Sequence, residues 1–183
     1  MPFETWWRGD PLPNLAPLAN FSARPSMDIR LIVPLTELSE QEINIRIQNG
    51  NRLYIAFIDT ASVAYGWVAT REGCIAGFQF SFPILEQECY LWDFVTLPQW
   101  RGRGVYPHLL QEIIHQERRV ERFWIGYELG NEASAHGIEK AGFHIVGDLF
   151  IAEDRASGFV LFNKSKYALA SSNFFHLPIV GEA

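Results

Sequence analysis

The chain has 183 residues, a formal net charge of -6 and 48% hydrophobic residues, enough for one domain with a sizeable core. The acidic balance excludes nucleic acid as the main partner, since phosphate-backbone binding needs a basic surface. Cys74 and Cys89 have no metal-type spacing and the five histidines form no HExxH pattern, so no metal centre is expected; the two cysteines read as free thiols of a reducing cytoplasm.

Residues 1–26 hold half of the ten prolines: Pro2, Pro11, Pro13, Pro17 and Pro25. Proline removes hydrogen-bond donors and disfavours helix before it, so regular structure is not expected here. Phe3, Trp6, Trp7, Leu12, Leu15, Leu18 and Phe21 are too apolar for a solvated tail. The expectation is an ordered arm wrapped over the domain or a second subunit. The segment lacks the basic start and continuous apolar stretch of a signal peptide, and no run approaches the roughly 20 apolar residues of a membrane span. A cytoplasmic protein with no membrane contact is expected.

Asp28 to Val33 reads as a strand. Ser39-Glu40-Gln41-Glu42 has the form of a capping box, predicting a helix to about Gln48 with Gly50 near its end. Arg52 to Ile58 and Ser62 to Thr70 read as strands joined by a turn at Asp59-Thr60-Ala61. A further strand lies near Ile75 to Phe82, and the apolar run Tyr90 to Leu97 is the central strand. Beyond it, Leu109, Leu110, Ile113 and Ile114 share one helix face.

Between that strand and helix stands Gln99-Trp100-Arg101-Gly102-Arg103-Gly104-Val105-Tyr106-Pro107. The N–H groups at a helix start have no partners within the helix, and the dipole there favours an anion. Glycine lets backbone approach a ligand closely. This loop therefore reads as a site for a phosphorylated ligand. Phe123 to Tyr127 is the next strand, and Asn131 caps a helix that Gly142 ends. Phe143 to Ala152 and Gly158 to Phe162 are the last strands. The domain is thus expected over 27–163, with a tail from Lys164 to Ala183 packed on the domain or on a second subunit.

The element order gives a mixed α+β sheet with helices on its faces. The stretch Arg101-Gly102-Arg103-Gly104-Val105-Tyr106 resembles the acyl-CoA pyrophosphate loop of the GCN5-related N-acetyltransferases (GNAT). Asn131-Glu132-Ala133-Ser134, followed by Glu139-Lys140-Ala141-Gly142-Phe143, resembles that family's second helix. The resemblance implies a mostly antiparallel sheet with helices on both faces and a splayed parallel central pair. It implies transfer of an acetyl group from acetyl-CoA to an amine, by direct attack in a ternary complex.

By the same resemblance, the backbone of Phe94, Val95 and Thr96 pairs with the pantetheine arm as an added strand. The stretch Gly102 to Tyr106 holds the pyrophosphate, with Arg101 and Arg103 able to neutralise its charge. Asn131 meets the pantetheine region, with Ser134 one turn on.

Two departures stand out. Tyr106 replaces a usual Gly or Ala, so its bulk must point away from the pyrophosphate. Ile138 stands where many members carry a tyrosine that protonates the leaving thiolate, which leaves Tyr106 and Tyr127 as other donors. The departure at Ile138 keeps an alternative open: a CoA-binding sensor of little or no activity.

Two carboxylates are candidate bases. Asp93, inside the apolar central strand, is a structural residue bonded to Arg101, Arg103 or backbone amides, or else the base or amine anchor. Glu128, past the next strand, is an exposed loop acid or a group at the mouth of the site. His136 and His108 are expected to face solvent. Trp92, Phe94 and Tyr127 are expected to line the acceptor pocket, whose ligand is a small-molecule or peptide amine. The apolar leader and tail motivate a homodimer.

Overall fold

The first strand of the chain lies in the interior of the sheet. In the computed structural model, which describes residues 1–182, β1 (Pro2–Trp7) alternates Phe3 and Thr5 on one face with Glu4 and Trp6 on the other. Residues 8–20 run over the surface to β2 (Phe21–Ser26), an edge strand, which is where a strand can hold Pro25. Then follow α1 (Ile29–Thr36), α2 (Glu40–Gln48), β3 (Asn51–Ile58), β4 (Ala61–Ala69), the short strands β5 (Glu72–Ile75) and β6 (Phe80–Pro83), and β7 (Glu88–Thr96). The second half supplies α3 (Val105–Gln116), β8 (Arg122–Gly126), α4 (Glu132–Ala141), β9 (His144–Ala152), β10 (Arg155–Leu161), α5 (Lys166–Phe175) and β11 (Ile179–Glu182).

One sheet runs β11-β10-β9-β1-β8-β7-β4-β3-β2, and β5 and β6 form a separate hairpin. The pairs β7–β8 and β10–β11 are parallel and the remaining pairs antiparallel. Strand β1 is antiparallel to both neighbours, with Glu4 opposite Ile125 and Ile145. Helices α3 and α4 cover one face with Leu109, Leu110, Ile113 and Ile138. The other face is covered by α1 and α2 at one end, through Ile32 and Ile43, and by α5 at the other, through Phe174 and Phe175. The mixed, two-faced architecture follows the expectation.

Three local readings are corrected. The leader is not free of regular structure: β1 and β2 lie in it, because a strand needs only alternating burial and neighbours to pair with. Only the connecting residues wrap over the domain, with the Pro13 carbonyl accepting from Gln111 Nε2 at 2.9 Å. The expected strand at Asp28 to Val33 is helix α1. Its β-branched run is outweighed by an Asp28 cap, which accepts from the Arg30 N–H, and by Ile29, Ile32 and Val33 packing together against the sheet. The run near Ile75 to Phe82 is the β5–β6 hairpin, apart from the main sheet.

The capping box at Ser39 and Glu42 forms in both directions, and Asn131 and Gly142 bound α4 as expected. In the tail, Trp124 stacks on Phe174 at 4.5 Å. Of the apolar residues that suggested a dimer, Phe3, Trp6, Phe174 and Phe175 are buried within the chain, whereas Ile179 and Val180 are exposed.

Arg8 ties the leader to the domain. Its guanidinium donates to the carbonyls of Ile114, Glu117 and Val120, which lie at and just past the C-terminal end of α3. A cation suits the negative end of a helix dipole. Arg8→Ala leaves these carbonyls short of a donor, and urea denaturation is expected to show a loss of about 2–3 kcal/mol. A change within about 0.5 kcal/mol, the size of an ordinary surface substitution, would mean the contact is dispensable.

Candidate active site

Strands β7 and β8 run side by side only from Glu88 and Arg122 to Leu91 and Ile125. Beyond that point β7 stays with β4 alone, pairing Val95 with Tyr65 and Thr96 with Ala64. The register shifts between Tyr65 and Trp67, and Asp93 takes a left-handed φ of 52°. This is a bulge that bends β7 away from β8. From Trp92 to Thr96 the outer edge of β7 has no partner strand.

Gly66, in β4, makes the bend fit. A Cβ there would lie 2.1 Å from the Phe94 ring. That ring packs against Tyr106, centroids 5.5 Å apart. Tyr106 in turn lies on α4 at Gly137, where a Cβ would be 2.5 Å from its ring. Its bulk is thus turned under α4, as its replacement of a small residue requires. Burial raises its phenol pKa, and Ser134 nearby opposes part of that rise.

The turn at Pro98–Trp100 leads to Gly102 at φ 72° and Gly104 at φ 80°. Gly104 is the N-cap of α3 and offers no side chain to cap it. Among the described residues, no backbone or side-chain acceptor takes the N–H groups of Gly102 to Tyr106. Nothing lies within 4 Å of the space a Gly102 Cβ would occupy. Pro107 has no N–H to give. Arg101 Nε donates to the Thr96 carbonyl at 3.0 Å, and Arg103 stands over the Trp100 ring at 5.0 Å. Neither arginine pairs with an acid among the described residues.

These parts enclose a cleft of about 570 Å³ lined by Phe94, Val95, Thr96, Arg101, Gly102, Gly104, Val105, Tyr106, Asn131 and Ser134. Every expected cofactor-contacting residue except Arg103 therefore faces one space. Asn131 Oδ1 accepts from the Ser134 N–H at 3.1 Å. The cleft offers unpaired amides, an unpaired strand edge and a nearby cation. That combination suits a ligand with an anionic pyrophosphate and an amide-bearing arm.

The two candidate bases are elsewhere. Asp93 pairs with Arg46 of α2 at 2.5 Å, so neither Arg101 nor Arg103 is its partner. The bulge turns Asp93 toward the α2 face, where Arg46 also lies over Trp92 and Trp67. Glu128 is exposed in the loop after β8 and lines none of the described cavities. Ile138 is fully buried. His136 is exposed, 3.8 Å from Glu139. The three aromatic residues expected around the acceptor do not share a space: Trp92 donates to Asn51 Oδ1, Phe94 lines the cleft, and Tyr127 lines a second cavity across α4.

That second cavity holds a buried acid outside the predicted site. Glu4 of β1 is 4% exposed, and burial together with Glu139 raises its carboxyl to about 8. A lone acid within Pro2-Phe3-Glu4-Thr5-Trp6-Trp7 carries the same signal that singled out Asp93.

The model of the acetyltransferase (GNAT) family matches residues 33–143. The chain belongs to the GNAT acetyltransferase family. No curated protein matches it in sequence. Among solved structures, it is similar to the aminoglycoside 6'-N-acetyltransferase AAC(6')-Ih from Acinetobacter baumannii, at 18% identity and a TM-score of 0.52, covering 73% of this chain and 97% of that one. AAC(6')-Iy, solved with the bisubstrate analogue CoA-S-monomethyl-acetylneamine, matches at 16% identity and a TM-score of 0.55, covering 75% and 99%. The yncA protein of Salmonella typhimurium, solved with its cofactor acetyl-CoA, matches at 16% and 0.53, covering 72% and 83%. These identities support the GNAT fold. The family match spans the splayed strands, the glycine loop and α4, and β1 and the tail lie outside it.

Proposed function

We propose that this GNAT member transfers the acetyl group of acetyl-CoA to an amine of a small molecule by direct attack in a ternary complex. The observation that carries the reading is the cleft: a free strand edge at Phe94 and Thr96 beside unpaired amides from Gly102 to Tyr106. The solved relatives that carry acetyl-CoA or a CoA bisubstrate analogue support the donor, and the aminoglycoside enzymes among them support a small-molecule amine.

The donor supplies an activated acyl group as a thioester. Around it, amides of the α3 N-terminus hold the pyrophosphate and the parted length of β7 holds the pantetheine arm. Leu97 donates to Val63 of β4 and Val95 lies opposite Tyr65, so by strand alternation Val95 faces β4; with the Thr96 carbonyl taken by Arg101, the backbone groups left toward the cleft are those of Phe94 and the Thr96 N–H. A C–N bond forms as the C–S bond breaks; one proton leaves the amine and one reaches the sulfur. Tyr106 and Ser134 both line the cleft and are the hydroxyl groups proposed as donors toward the sulfur in place of Ile138. Asp93, on the parted length of β7 and paired with Arg46, is the carboxylate proposed to meet the amine; Glu128, in the loop after β8, is the alternative. The residue roles are tested by Asp93→Asn, Glu128→Gln and Tyr106→Phe kinetics.

Calorimetric titration of acetyl-CoA tests the reading. Micromolar binding is expected, and Gly104→Glu, which puts bulk and a negative charge at the α3 N-terminus, is expected to weaken it by at least about 100-fold. A folded wild type that binds no CoA ester overturns the proposal. The second reading, a sensor that binds CoA without turnover, is favoured by the burial of Ile138. Acetyl-CoA binding without thiol release across a panel of amines would select it.

A further inference from the structure

Helix α4 has a cavity on each side. The cofactor cleft meets it at Asn131, Ser134, Gly137 and Lys140. The opposite cavity, about 1090 Å³, meets it at Glu132, Ala135, His136 and Glu139, and is closed by β1, β9 and α5. The two share Ala133 and His136.

Glu4 lines this second cavity from the sheet. Its side chain is more than nine-tenths buried and has no hydrogen-bond or ion-pair partner among the described residues. Burying a carboxyl costs free energy, and a partner normally offsets that cost. Glu88 shows the ordinary solution in the same sheet: it is buried, accepts from Trp124 Nε1 at 2.6 Å and pairs with Arg122. Glu4 has neither kind of contact. The walls around it are Tyr127, Phe143, His144 and Tyr167, and Glu132 and Glu139 add further negative charge. No arginine lines the cavity, and no lysine does. His144 stacks on Tyr167 at 4.4 Å, so this wall is preformed.

We propose that this cavity binds an organic amine cation with a flat apolar body, its ammonium paired with Glu4 and its body against Phe143, Tyr127 and Tyr167. A carboxylate at the inner end and aromatic rings along the sides are the complement of such a ligand. The cavity volume is enough for a molecule of drug size. The inference goes beyond the transfer reaction, since it concerns a site across α4 from the cofactor cleft and holds whichever amine is acetylated.

Tyramine is the probe, and 4-ethylphenol, which lacks only the amine, is the control. Calorimetry at pH 7 is expected to show tyramine binding and at least about tenfold weaker binding of 4-ethylphenol. Glu4→Gln is expected to weaken tyramine by a similar factor. Repeating the titration in buffers of different ionisation enthalpy is expected to show proton release on binding to the wild type and none with Glu4→Gln, because the ammonium favours ionised Glu4 over its neutral form. A role for Glu4 in packing alone would not move that signal. Glu139→Gln, at an exposed position, serves as a second variant and is expected to weaken tyramine severalfold. Failure of the wild type to bind tyramine, or equal binding by Glu4→Gln, overturns the inference. Acetyl-CoA titrated into the same samples separates the two proposals. Donor binding without tyramine binding removes only the amine site, and the converse removes only the proposed transfer.

Discussion

Glu4→Gln is expected to stabilise the protein as the pH rises, by up to about 5 kcal/mol at pH 9 relative to pH 4. The unfolded chain releases this proton near 4.5, whereas the folded chain holds it to about 8. Between those values the folded state binds more protons than the unfolded one, so raising the pH costs the wild type stability. The whole penalty is present above pH 8 and absent below about pH 4. Glutamine cannot ionise and carries no such penalty. Glu132, Glu139, His136, His144, Tyr127 and Tyr167 line the same space and are common to both proteins, so their titrations largely cancel in the difference. The check is urea denaturation of both proteins at pH 4, 6, 7.5 and 9. Parallel curves would mean that Glu4 ionises at its ordinary value and that the cavity is wetter than the structure shows. The same curve bears on the amine site, because a bound cation favours the ionised carboxylate and should recover part of the stability lost at high pH.

Gly66→Ala is the second large effect. The added methyl would lie 2.1 Å from the Phe94 ring, and Phe94 is backed by Tyr106, which is itself fitted to Gly137. None of these three groups can yield alone. Overpacking of this kind costs about 1–3 kcal/mol. The displaced Phe94 also lies on the β7 edge that faces the cleft, so acetyl-CoA affinity is expected to fall at least about tenfold. Phe94→Ala in the same chain removes the clash, and the double mutant should be more stable than the sum of the single changes predicts. Unaltered donor affinity in Gly66→Ala, with an additive double mutant, would show that the bend of β7 does not depend on this contact.

The parts of the molecule legible in the sequence are those whose causes are local. The glycine loop, the Ser39–Glu42 box, the Asn131 cap and Gly142 each announce a helix boundary through residues a few positions apart. The pairing of strands is a different kind of information. Nothing within residues 2–7 says that their neighbours will be β8 and β9, more than a hundred positions away, and the prolines nearby argued against any strand. Asp93 shows the same limit at the level of one side chain. That an acid inside an apolar strand must find a partner follows from electrostatics, but the partner is Arg46, 47 residues earlier, because the bulge turns the carboxylate toward α2. Glu4 obeys the same electrostatic rule, but the prolines around it point to an arm and not to a buried strand. The α1 segment failed for the opposite reason: Ile and Val favour strands by intrinsic preference, and a single Asp28 cap with burial on one face overrides that preference.

The place of β1 also bears on the order in which the molecule can be assembled during synthesis. Its six residues leave the ribosome more than a hundred positions ahead of their pairing partners, Arg122–Gly126 and His144–Ala152. Strands β2, β3, β4 and β7 can pair as they emerge, while β1, with Phe3 and Trp6, must wait unpaired until β8 is made. Contacts of such long sequence separation are slow to form. The nascent chain therefore carries an exposed, aggregation-prone aromatic strand for longer than any other element, and a chaperone that recognises extended aromatic segments would find it there first.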